Sequence, residues 1–152
     1  MNIEKEIKKL KDNRFMRTNE EFELFEEALA NVGDYGNIQN IKDLCDVLFD
    51  DTEFYEVMYG IIHTIDYLGE NSIEESLFIQ GKTIPSMLPQ ASEWAKILQC
   101  RILNHDEYRK IYGKILLDLD IETRKTIIKL LKDIKNENLV LFERKVNEII
   151  NF

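Results

Sequence analysis

The chain has 152 residues, 44% hydrophobic and 32% charged, which gives one domain with enough apolar side chains for a buried core and excludes a disordered chain. Its net charge of −9 is unevenly spread: residues 18–81 hold sixteen Asp and Glu against the single base Lys42, while residues 1–17 and 82–152 are each mildly basic. A block of that sign repels phosphate backbones, so it argues against a nucleic-acid partner and for a basic protein surface or cations.

Apolar residues recur at helical spacing almost throughout, and Gly, Asn, Asp and Pro fall where helices end. The opening MNIEKEIKKLKDN alternates charges with isolated Ile and Leu, so it lacks the apolar centre of a signal peptide and reads as a first helix over Ile3–Lys11. Thr18 with Glu21 three residues on is a capping box for a second helix, with Phe22, Phe25, Leu29 and Val32 as its inner face and Gly33 as its stop. A third helix from about Ile38 to Phe49 turns Ile41, Leu44, Cys45 and Leu48 inward. Asp51 or Thr52 caps a fourth, which ends near Leu68 and Gly69. Ser72 and Glu75 form another capping box before a short helix ending around Gly81, and residues 84–90, with Pro85 and Pro89, read as a turn or brief helical segment. Helices follow over 92–104, 106–119, 121–135 and 139–150.

The expected architecture is all-α: a single domain over residues 1–152, of eight or nine short amphipathic helices in antiparallel pairs, HEAT-like or an irregular bundle. No sequence signature repeats at a fixed period. No apolar run approaches the roughly 20 residues needed to cross a bilayer, so no membrane partner is expected. Cys45 and Cys100 sit inside apolar helical patterns without framework spacing, which reads as reduced core thiols in a cytoplasmic protein.

The fourth helix carries the densest chemistry. At about 100° per residue, Phe54, Val57, Met58, Ile61, Ile65 and Leu68 share its core side. Glu56, Tyr59, His63, Asp66, Tyr67 and Glu70 share the opposite side, and Asp50, Asp51 and Glu53 lie at its N-terminus, where carboxylates complement the helix dipole. Glu56 and His63 stand about 10 Å apart along the axis, too far for one metal ion, and the i, i+3 or i, i+4 pairs of helical metal sites are missing. The histidines, serines and cysteines are scattered without a strand–turn–helix nucleophile or a glycine-rich phosphate loop, so no catalytic residue and no cofactor is assigned. The plain reading is a capped, solvated helix. Set against it is the density of like charge, which destabilises a fold by self-repulsion, together with tyrosines, which suit contact surfaces. Asp50, Asp51, Glu53, Glu56, Tyr59, His63, Asp66, Tyr67 and Glu70 therefore form the candidate docking surface for a basic protein.

In the stretch Ser92–Gly113, Trp94, Ile97, Leu98 and Arg101 fall on one helical face, placing a guanidinium beside the core. A buried arginine must be paired, and Asp50, Asp51 or Glu56 are the expected partners in a structural ion pair.

These two stretches together resemble the immunity protein 30 family of bacterial polymorphic toxin systems. The resemblance rests on Phe49, Asp50, Asp51, Thr52 and Glu53 at the helix start, then Glu56, Val57, Met58, Gly60 and His63, and later Trp94, Ala95, Arg101, Ile102, Leu103 and Asn104. Tyr59 stands where the pattern carries tryptophan, which keeps an aromatic there. The resemblance implies an all-α antitoxin made in the producing cell's cytoplasm, whose partner is the toxic C-terminal domain of a secreted protein. The alternative is a HEAT-like scaffold or adaptor without catalytic activity.

Overall fold

Residues 1–152, described by a computed structural model, form eight helices and no strand: α1 Ile3–Asn13, α2 Asn19–Tyr35, α3 Asn40–Val47, α4 Tyr55–Gly69, α5 Ile73–Leu103, α6 Asp106–Asp118, α7 Ile121–Glu137 and α8 Leu139–Ile150. No helix is long and apolar enough to cross a membrane. The chain gathers into two compact units, residues 1–76 and 77–152, and the boundary falls in the first turn of α5.

In the first unit α2 packs on α1 and α4, and α3 packs on the same two helices. The periodic residues supply the core: Leu10, Phe25, Val32, Ile41, Leu44, Met58, Ile61 and Ile65 are all excluded from solvent. Burying an aliphatic or aromatic side chain of this size contributes about 1.5–3 kcal/mol, so this cluster dominates the unit's stability. Thr18 caps α2 as its spacing requires, accepting from the Glu21 amide at 3.1 Å, and its hydroxyl also donates to the Glu21 carboxylate. Gly33 does not stop the helix. α2 continues two residues beyond it and is capped by Gly36, whose amide donates to the Val32 carbonyl. Gly33 has an ordinary negative φ and lies in open contact, so nothing there breaks the helical ladder.

The segment leading into α4 also departs from the sequence expectation. α4 opens at Phe54, whose side chain has no capping atom, and just ahead of it the Thr52 hydroxyl accepts from the Phe54 amide at 3.4 Å. It donates to the Arg14 carbonyl at 2.9 Å, while the Glu53 amide donates to the Phe15 carbonyl at 3.1 Å. Phe49 meets Phe15 edge-on at 4.9 Å and lies under the Arg14 guanidinium at 4.6 Å, and Arg14 reaches the Asp46 carbonyl. Residues 49–53 thus clamp the α1–α2 connection, in which buried Met16 takes a positive φ of 51°. α4 ends at Gly69, where a Cβ would collide with Ser76 at the start of α5.

In the second unit α8 packs on α6 and α7. The expected break near Gly81 is absent, and of the two readings of residues 84–90 the helical one holds: α5 runs helically through both prolines and breaks at Ala91, whose φ of −141° and ψ of 40° are non-helical. Side-chain donors crowd this stretch, with Thr83 bonded to the Ile79 carbonyl, Ser86 to Thr83 and Gln90 to Ser86. They add to a ladder from which each proline removes an amide. The kink falls just before Ser92, the expected start of the following helix. His105, Asp120 and Asn138 cap α6, α7 and α8. Trp94, Leu98, Tyr112, Ile127, Leu131 and Val146 form the core of this unit.

Candidate functional site

α4 sorts its side chains much as its periodicity requires. Met58, Ile61, Ile62 and Ile65 are buried, and Glu56, His63, Asp66, Tyr67 and Glu70 are exposed. Two of the six residues assigned inward, Val57 and Leu68, are half-buried. Phe54 is not a core residue: it is 46% exposed at the helix entrance and rests edge-on against Phe22 of α2 at 5.0 Å. Ile62 takes the buried place instead. Tyr59 is half-buried and its ring lies 5.2 Å from that of His63. Asp50 is half-buried in the clamp region, whereas Asp51 and Glu53 are exposed. No lysine or arginine occurs on α4.

The neighbouring helix extends this acidic surface. Glu20, Glu23, Glu26, Glu27 and Asp34 are exposed along α2, and only Glu27 is met by a base, Lys9 at 3.8 Å. Between α2 and α4 lies an open hollow of about 520 Å³ lined by Glu26, Leu29, Ala30, Glu56, Val57, Gly60 and Thr64. The sequence reading credited α2 only with a share of the charge; the signal available was the i, i+3, i+4 spacing of Glu23, Glu26 and Glu27, which repeats on one helical side.

A second hollow, of about 450 Å³, lies in the other unit and is lined by Asp106, Arg109, Lys110, Arg144, Glu148 and Phe152. Four of its five charged side chains pair with one another. Arg109, 4% exposed, donates to Glu148 at 2.6 Å, to Asp106 and to the Leu103 carbonyl, while Arg144 donates to Glu148 at 2.6 Å. These hydrogen bonds hold the Asp106 and Glu148 carboxyls below the usual carboxylate range. The sequence reading passed over Arg109; Arg101, the arginine it placed beside the core, is half-buried in the last turn of α5.

Both thiols are held toward the protonated form. Cys45 is fully buried, and burial, followed by the charge of Asp46, pushes its pKa far up. Cys100 is half-buried and burial raises it as well. No group of three His, Cys, Asp or Glu side chains converges as metal ligands would. His105 is committed to helix capping: its Nδ1 accepts from the Tyr108 amide, and its ring stacks on Tyr108 at 3.7 Å.

No curated protein and no solved structure matches this chain. A family model described as immunity protein 30 matches residues 12–112. That range takes in the clamp of residues 49–53, both helices that border the acidic hollow, and the Trp94–Asn104 stretch. With well over half of its length matched, the chain belongs to the immunity protein 30 family.

Proposed function

We propose that this protein neutralises a cognate polymorphic or contact-dependent toxin by binding the toxin's C-terminal domain, in the cytoplasm of the cell that produces both. Family membership supports a toxin as the partner. The observation that carries the choice of surface is the exposed stripe Glu56, His63, Asp66, Tyr67 and Glu70 on a helix without a single base, preceded by exposed Asp51 and Glu53. Asp50 and Tyr59 complete the face from half-buried positions. Carboxylates there attract a basic partner over distances of about a Debye length, and a tyrosine that is 60% exposed at position 67 offers apolar area on contact.

A basic cleft is what a nuclease presents to phosphate, and carboxylates can occupy its phosphate subsites. Inhibition of this kind is stoichiometric and asks no reaction and no cofactor of the inhibitor. The test is co-expression of the toxin domain with wild-type protein and with the triple variant Glu56→Lys, Asp66→Lys, Glu70→Lys. Wild type restores growth and the variant does not, although its circular-dichroism melt stays close to wild type because all three side chains are exposed. Equal protection by the variant moves the interface off α4. Several unrelated partners, with no toxin among them, would favour an adaptor instead.

A further inference from the structure

We propose that the hollow between α2 and α4 is a socket for one arginine or lysine side chain of the bound toxin; this inference rests on the reading of the protein as a toxin-binding inhibitor. Its two carboxylates, Glu26 and Glu56, come from different helices, are exposed, and have no ion-pair or hydrogen-bond partner within the chain. That separates them from the acids elsewhere that are already neutralised: Glu27 and Glu6 by Lys9, and Asp106 and Glu148 by Arg109.

The floor is apolar and set by a small residue. A Cβ on Gly60 would come within 3.0 Å of Leu29 Cδ2, so glycine lets α4 lie close against α2 at this level. Leu29, Val57 and exposed Ala30 supply the rest of the lining. An apolar floor with unpaired carboxylates suits a side chain that is amphipathic along its length. The methylene stem of Arg or Lys lies on the apolar part, and the cationic head reaches the carboxylates. A neutral or acidic side chain would leave both carboxylates desolvated and unpaired on docking, so the chemistry selects a cation. The volume of about 520 Å³ has room for one such side chain with water.

The experiment has two arms. Backbone amide shifts are followed by NMR while acetyl-Gly-Arg-Gly-amide, or its norleucine counterpart, is titrated into the intact protein. Saturable shifts at Leu29, Ala30, Gly60 and Thr64 are expected with the arginine peptide only, and are lost in the double variant Glu26→Gln/Glu56→Gln. Shifts of equal size with norleucine, or none at these residues with arginine, overturn the socket. In the second arm the purified toxin domain is bound to wild type, to the double variant and to Ala30→Arg, which supplies the hollow with a cation of the protein's own. Affinity is expected to fall by about tenfold or more in both variants. Undiminished affinity with wild-type binding intact removes the socket from the interface and leaves the inhibitor reading standing. Failure of wild type to bind any toxin sinks that underlying reading, whatever the peptides show.

Discussion

Gln99 is completely buried in the second unit, and neither its amide nitrogen nor its amide oxygen has a hydrogen-bond partner. Leaving such a group unpaired costs about 1–3 kcal/mol, so Gln99→Met, which keeps the length and removes the polarity, should stabilise the protein by about 1–2 kcal/mol in urea unfolding. A loss of stability would mean that the amide is satisfied in solution. Arg109 is the opposite case, a buried cation with each guanidinium nitrogen hydrogen-bonded. Its carboxylate partners have pKa values depressed in the folded state, first by the hydrogen bond from Arg109. A depressed carboxyl stabilises fully above its unfolded value, near 4, and loses that contribution as pH falls through the lower folded value. The melting temperature should therefore drop on acidification below about pH 4. Arg109→Met should cost about 2–3 kcal/mol near neutral pH and make that acid limb shallower. Parallel wild-type and variant curves through that window would contradict the assignment.

At the scale of the helix, most starts and core faces were legible in the sequence because they rest on periodicity and on local capping chemistry. Thr18 with Glu21 is such a case, since both partners lie within one turn. Thr52 is the instructive failure. Its hydroxyl accepts locally from the Phe54 amide but donates to the Arg14 carbonyl, thirty-eight residues earlier, and no local rule carries that second contact. The proline-bearing stretch was half legible: residues 84–90 read as a turn or a brief helical segment, and the helix passes through both prolines, joined to its neighbours, and yields only at Ala91. The end of α4 was placed correctly for an incomplete reason. Gly69 has no positive φ; it is needed because Ser76 occupies the space where a Cβ would stand. Gly69→Ala should therefore destabilise the protein by about 1–3 kcal/mol, read as a lower urea midpoint. Gly33→Ala, in open contact within α2, should be neutral or mildly stabilising. Equal effects at the two glycines would refute this distinction.

For the molecule as a whole, the family's motif divides into two kinds of residue. Phe49, Thr52 and the backbone of Glu53 build the clamp over the α1–α2 connection, so they hold the fold. Glu56 and His63, by contrast, face solvent from α4, with the His63 ring beside that of Tyr59. The candidate face on α4 was readable from sequence because a single helix carries it. The hollow beside it was not, because it depends on how closely α2 approaches Gly60. The central claim is that this acidic face binds a basic toxin, and electrostatic binding weakens with salt. The most direct measurement is the dissociation constant of the purified toxin domain for wild type and for the Glu56→Lys/Asp66→Lys/Glu70→Lys variant, each at low and at high salt. The account predicts tight wild-type binding that weakens steeply with salt, and a variant that binds poorly at both. Wild-type affinity in the variant, or salt-independent binding by wild type, would contradict it.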